Sequence, residues 1–423
     1  MLKTLLLSFY KLLLSSFLLS FPLFLMAQNT ITVCNTCPIK TIKEGIEKAN
    51  HGDTVFIKSG IYEESNLKVD KSIAIIGEGY PVVDGKNQGE IFTVNADDIT
   101  FDGLKIINVE VSYSKDYAAV RLANSNNFLI QNLIIEDPFF GLYIQKSRNG
   151  KIINNKILGH ATSEFSAGNA IHLWHSKHVE ILDNDVRGLR DGIYLEFSDN
   201  LMIEGNFSKG NVRYGLHFMM SKNDTVVNNI FENNGAGVAV MFSDYIDLYD
   251  NTFRENWGTA SYGLLLKELR DSEIINNTFY KNTVGITAEG NSRIYFKNND
   301  FESNGWAINV KGACYENIFT NNNFLYNSFD LSYNGRLSDN EFDRNYWSEY
   351  SGYDLDKDGI GDVPYRPVKL FSYVVSGTPE AIILLRSLFI DLLDFSERVS
   401  PIFTPDNLMD KNPRMKKITH DRN

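Results

Sequence analysis

Cysteine is scarce in this chain of 423 residues: there are three, too few for a disulfide scaffold. Cys34 and Cys37 form a C-x-x-C pair, and no histidine follows Cys37, which excludes a haem-attachment motif. A disulfide or a soft-metal pair remains open there, with an oxidising compartment favouring the disulfide. Cys314 lies in a strand-like segment and reads as a small buried residue. Basic charge is also in deficit, with 41 Lys and Arg against 53 Asp and Glu, a formal net charge of −12. Phosphate binding needs clustered Lys and Arg, so nucleic acid is not an expected partner. Near the C-terminus, Arg386, Asp391 and Glu397 interrupt the apolar segment 379–398, which makes a membrane span a poor reading.

The first residues carry the one long stretch dominated by Leu, Phe and Ser, with charge only at Lys3 and Lys11 and with Ala27 as a small residue for cleavage. Residues 1–27 are therefore expected to be a signal peptide, with an uncleaved anchor helix as the alternative. No cysteine follows directly, which argues against a lipoprotein anchor. The exported chain, without those residues, would carry a formal charge of −14 and reside in the periplasm.

A repeat dominates the rest. Segments beginning at Ile171, Ile193, Leu216, Val238, Leu264 and Ile286 step by 22, 23, 22, 26 and 22 residues. Gly192, Gly215, Gly237, Gly263 and Gly285 each stand just before a segment. A second apolar stretch in each repeat closes on Asn184, Asn206, Asn229, Asn251, Asn277 or Asn299, and a third short strand follows, as at Phe253 and Phe279. Alternation within the segments fits strands, and the period is too short for a propeller blade. The fold class is all-β: a right-handed parallel β-helix, a pectate-lyase-like solenoid, over residues 53–346. Asn can form hydrogen-bonded ladders at one corner, and Gly is expected to supply an unusual backbone angle at another. Residues 28–52 read as an N-terminal segment with a cap helix, because Ile42, Ile46 and Ala49 share a helical face and an open solenoid end needs covering. Residues 347–378 form an acidic turn region. Residues 379–423 read as an amphipathic docking helix, with Ile382, Leu385, Phe389, Leu392 and Leu393 on one side, followed by an extended tail.

Two places can hold metal. Asp354, Asp356, Asp358, Gly359 and Asp362 match the start of an EF-hand calcium loop, but position 12 is Tyr365, so a bidentate ligand is missing. Calcium and a metal-free acidic turn both remain open. In the repeat, strand positions 1 and 3 are apolar and face inward, so positions 2 and 4 face out. The outward columns are His172, Tyr194, His217, Ala239, Leu265 and, beside them, Trp174, Glu196, Met219, Met241, Lys267. His217, Met219 and Met241 would then cluster on one exposed face, flanked by His172 and Glu196. Thioether and imidazole together favour Cu(I). The bland alternative is a partner surface in which Met adapts its shape.

Residues 213–221 (RYGLHFMMS), 235–243 (GAGVAVMFS) and 354–367 (DLDKDGIGDVPYRP), the last following Trp347, resemble the NosD family. NosD is the periplasmic β-helix subunit of an ABC transporter needed to mature nitrous-oxide reductase. The resemblance runs from about the Gly52–Asp53 turn to the Pro-containing tail. It implies a non-enzymatic metallochaperone of denitrification that docks on a membrane permease and ATPase. Such a subunit would receive copper from a small copper chaperone and assist assembly of the copper–sulfur cluster of nitrous-oxide reductase; whether copper, sulfur or both pass through it stays open. The Cys34–Cys37 pair has no match in that pattern. The rival is a secreted carbohydrate-active lyase or hydrolase, which would need clustered carboxylates. Only Asp191 beside Arg190, and Glu196 with His217, offer themselves.

Overall fold

The computed structural model describes residues 29–112, 114–165, 167–369, 371, 374–375, 378–385, 387–399 and 408–420. The expected signal peptide, residues 1–27, lies outside them. The chain winds as a right-handed parallel β-helix. Two ladders of each coil merge into a 26-stranded sheet, and the third strands form a 13-stranded sheet. Ile171, Ile193, Leu216, Val238, Leu264 and Ile286 stand in one register column, the alignment that the 22-residue spacing implies. Their side chains are fully buried. Below them Phe231, Phe253, Phe279, Phe301, Phe324 and Trp347 stack down the interior, with centroids 4.0–5.4 Å apart.

The glycines before these strands have a different role from the expected one. None of the five has a positive φ. Space is the reason for them: a Cβ at Gly192, Gly215, Gly237, Gly263 or Gly285 would stand 2.4–2.7 Å from a carbonyl oxygen of the next coil. Positive φ falls instead on turn residues such as Asp183, Asn228 and Asn276.

Asn ladders run along two corners, where one was expected. In the first, each Asn from Asn155 to Asn322 donates its backbone N–H to the Oδ1 of the next coil's Asn, and the run ends at Asn345. The second joins Asn211, Asn234, Asn256, Asn282, Asn304 and Asn327. The last Asn of a ladder has donors but no further Asn to accept them, and each ladder ends on a carboxylate, an acceptor-only group when ionised. Asn345 donates to Asp410 Oδ2, through its backbone N at 3.0 Å and Nδ2 at 3.1 Å; Asn327 Nδ2 donates to Asp330 Oδ1 at 3.3 Å.

Burial pushes the Asp330 carboxyl from its ordinary 3.8 up to about 7, and the hydrogen bond from Asn327 opposes this only in part. The folded chain keeps this proton where the unfolded chain has released it, so this group's contribution falls as pH rises from about 4 to about 7. Asp330→Asn should flatten that slope and raise Tm at pH 8 by about 4 °C or more. Thermal melts at pH 5 and pH 8 read this directly, and a variant that tracks the parent at both would refute the assignment.

Both solenoid ends are covered. Helix α1 (Ile42–Lys48) buries Ile42, Gly45 and Ile46. Thr41 Oγ1 accepts from Glu44 N–H, Glu64 accepts from the N–H groups of Ile42 and Lys43, and Lys71 Nζ donates to the carbonyls of Ile46, Glu47 and Ala49. The helix termini are thereby satisfied. The solenoid begins earlier than residue 53, because the strand Thr30–Val33 precedes α1 and pairs in parallel with Thr54–Ile57. Cys34 and Cys37 follow that strand and are joined as a disulfide. Cys314 is buried and unpaired in the strand Trp306–Tyr315.

At the other end, the single expected helix is divided into a 3-10 turn, Pro379–Leu384, and helix α2, Leu388–Val399. Ile390 is buried with Phe329, Phe371 and Val375, and Leu385 and Leu393 pack on them. The expected stripe is therefore split: Ile382, Phe389 and Leu392 are exposed, while Leu385 and Leu393 face the solenoid. The tail does not simply extend away. Leu408 and Asp410 are fully buried against the last coil.

Candidate functional site

The outward columns share one face of the solenoid, but that face is less open than alternation suggests. Tyr143, His172, Tyr194 and His217 stand in register on successive coils, and their rings stack at centroid distances of 4.4, 4.7 and 4.5 Å. Tyr214 closes on His217 at 4.8 Å, and Phe140 on His172 at 5.9 Å. His172 and His217 are consequently buried, only 6% and 4% exposed, which corrects the expectation of an exposed histidine face. They nevertheless lie outside the core, because their strand neighbours Leu216 and Phe218 fill it.

Burial holds both imidazoles neutral. Desolvation lowers the pKa of His217 to about 4, and that of His172 is lowered for the same reason. Neither ring nitrogen of either residue has a hydrogen-bond partner. Glu196 Oε2 comes to 3.8 Å of His172 Nε2, an electrostatic contact too long for a hydrogen bond, and this neighbour keeps the Glu196 carboxyl below its usual range. An unpartnered buried polar atom costs about 1–3 kcal/mol, and both rings on this face keep nitrogens that no protein group engages.

Next to this column runs Trp174, Glu196, Met219, Met241 and Lys267, all half-buried and in register. Met219 and Met241 face each other on adjacent coils, about 4.8 Å apart along the stack. His217 lies two residues from Met219 on the same face. The set offers two thioethers and a neutral imidazole, donors that suit Cu(I). Met220, at the turn beyond Met219, is 45% exposed and adds a third sulfur at the edge. The sequence contained that signal in its Met-Met pair. The aromatic column was also legible, whereas its covering role depends on stacking across coils.

Asp191 is occupied structurally. It is fully buried, accepts from Arg213 Nε at 2.9 Å and makes a second bond to Arg213 Nη2. Among the described residues four coils carry extra residues, at 85–91, 109–117, 159–168 and 255–262, all at the corner leading into this face. Irregular chain thus borders the site.

Comparison with known proteins bears on this face. Residues 159–352, which contain His172, Glu196, His217, Met219 and Met241, match the family described as "Periplasmic copper-binding protein (NosD)". The chain resembles NosD. It is 26% identical over 416 residues to the "Probable ABC transporter binding protein NosD" of Stutzerimonas stutzeri, covering 85% of this chain and 86% of the relative. The protein of the same description from Pseudomonas aeruginosa is 26% identical over 406 residues, covering 83% and 86%. Among solved structures, the family 28 exopolygalacturonase of Yersinia enterocolitica superimposes with a TM-score of 0.56 at 10% identity, covering 74% of this chain and 78% of that one. The catalytic domain of a GH87 α-1,3-glucanase gives 0.58 at 11%, covering 74% and 66%. At that identity these enzymes share the fold alone, whereas the two NosD relatives match 83–85% of this chain at 26% identity.

The acidic turn is preformed. Asp354 accepts from the N–H groups of Lys357, Asp358 and Gly359, and Asp362 accepts from Leu355 N–H. Carboxylate oxygens of Asp354, Asp356 and Asp358 lie within 4.8 Å of one another, while Asp362 is outside that group. No described helix is long and apolar enough to cross a membrane.

Proposed function

We propose that this chain is a periplasmic copper-binding subunit that works with an ABC transporter, holding Cu(I) as cargo on His217, Met219 and Met241. His172 and Glu196 flank the site and tune access to it. The cargo would come from a copper chaperone and go to the copper–sulfur cluster of nitrous-oxide reductase. One observation supports this reading above the others: a neutral, unpartnered imidazole beside two thioethers in register on adjacent coils. The two thioethers stand half-buried on the outside of a rigid solenoid, so an ion held against the ring-covered imidazole can leave past them for a better site. Anaerobic competition of the purified chain against a Cu(I) chelator tests it. About one equivalent of Cu(I) should be retained, and a chain that takes none would overturn the proposal. The carbohydrate-enzyme reading draws support from the fold alone, with Asp191 tied to Arg213 and Glu196 beside His172.

Docking on the membrane permease is assigned to α2, where Leu388, Phe389, Leu392 and Phe395 are exposed together. Removing everything from residue 379 would not test this, because Asp410 would be lost with it. Phe389→Ser with Leu392→Ser should leave Tm unchanged and abolish co-purification with the membrane subunits. Retained binding would move the contact elsewhere.

Calcium at Asp354, Asp356 and Asp358 is a further proposal. Asp356→Asn with Asp358→Asn should remove any calcium-dependent rise in Tm, and an unaltered calcium response would leave only a turn.

A further inference from the structure

At the corner where the site strands turn toward the second ladder, a cavity of about 330 Å3 is lined by Lys146, Ser147, Arg148, His175, Lys177 and His178. Three permanent cations and two imidazoles converge there with no carboxylate in the lining, on a chain of net charge −12. The corner column explains why this is unusual. In register it reads Asn126, Arg148, Lys177, Asp199, Lys222, Asp244 and Arg270. From Lys177 onward the signs alternate, and the ions pair: Lys177 with Asp199 at 2.7 Å, Lys222 with Asp244 at 2.9 Å, Arg270 with Asp244 at 2.7 Å.

Arg148 over Lys177 breaks that rule, since two cations face each other on adjacent coils. Like charges directly opposed across strands are destabilising. No relief comes from the preceding coil, because Asn126 donates its backbone N–H and Nδ2 to Asp97. Among the described residues, neither Arg148 nor Lys146 has a carboxylate partner; Lys146 Nζ rests over the Trp174 ring at 5.3 Å. The solenoid could have placed an acid here, as it does at Asp199 on the coil after Lys177.

We propose that this recess binds a small multivalent oxyanion, of the polycarboxylate or phosphate class. The Arg148 guanidinium supplies a planar two-pronged contact, Lys146 supplies a point charge, Lys177 stands beside them on its ion pair with Asp199, and His175 and His178 line the rim. A cavity of this volume suits a small ligand better than a length of acidic chain. The site is separate from the His–Met set, and its test is independent of copper.

The experiment is calorimetric titration of the full chain, at low ionic strength and without metal, with citrate and separately with inorganic phosphate. At least one probe should bind, and which one binds tells the two sources of oxyanion apart. Arg148→Gln and Lys146→Gln should each weaken binding about tenfold, the effect expected for one charged hydrogen bond, and the pair should abolish it. Both side chains are exposed, Lys146 at a turn and Arg148 at the first position of its strand, so Tm should not change. Arg293→Gln, which breaks an exposed pair with Asp271 on a distant coil, should leave binding intact. Failure of both probes, binding that survives the double variant, or binding of polyglutamate where both small probes fail would each overturn the proposal.

Discussion

Replacing Met219 and Met241 together by leucine should cost the chain its Cu(I) while leaving its fold untouched. Leucine keeps the volume of methionine and removes the sulfur, and volume-conserving exchanges of this kind cost less than about 1.5 kcal/mol. Both side chains are half-buried on the outside of the solenoid, so no core packing depends on them. Changes to groups that merely orient metal ligands reduce affinity about 10–100-fold, and deleting two direct ligands should exceed the upper end of that range. His217 remains in the double variant, but one imidazole is a poor Cu(I) site. The measurement is anaerobic chelator competition, paired with a thermal melt. Parent-like affinity would exclude this face. Cys34 and Cys37 would then be next, but only after reduction of the disulfide that now occupies both sulfurs.

The largest effect on stability is expected at Asp410. Its Oδ2 accepts from Asn345 N, Asn345 Nδ2 and Trp347 Nε1, at 3.0, 3.1 and 3.0 Å. All of these groups are buried, and burial raises the Asp410 carboxyl above its ordinary value even against those hydrogen bonds. Asp410→Ala leaves Asn345 N and Trp347 Nε1 without an acceptor, while Asn345 Nδ2 keeps the Phe319 carbonyl, so at about 1–3 kcal/mol per orphaned donor a loss of about 2–6 kcal/mol is expected. A solenoid couples mainly neighbour to neighbour, so the damage should begin at the end. Amide exchange should rise first in the strands Asn323–Leu325 and Tyr346–Trp347 and leave Asn169–Trp174 protected. Uniform loss of protection, or none, would show that the tail is not the cap.

Most of the winding was written in the sequence. A period near 22 with alternating apolar residues fixes which residues stack, and Ile171 through Ile286 stand in the register that their spacing implies. The face of each side chain follows from the same alternation, which is why His217, Met219 and Met241 could be placed together on the outside. Exposure did not follow. It depends on what lies above and below in other coils, and the rings of Tyr143, Tyr194 and Tyr214 cover the histidines that alternation alone would leave open. The glycine column was visible too, but its cause is the next coil's carbonyl, a neighbour about 22 residues away in sequence. The ends were decided by still longer contacts. Asn345 meets Asp410 across 65 residues, and no local pattern pairs a ladder's last donors with a tail carboxylate. Likewise, amphipathicity marked residues 379–398 as apolar, but only packing against Phe329 and Phe371 selected Leu385, Ile390 and Leu393 as the covered side. Local periodicity fixes the direction of a side chain, whereas burial is a property of the assembled neighbours.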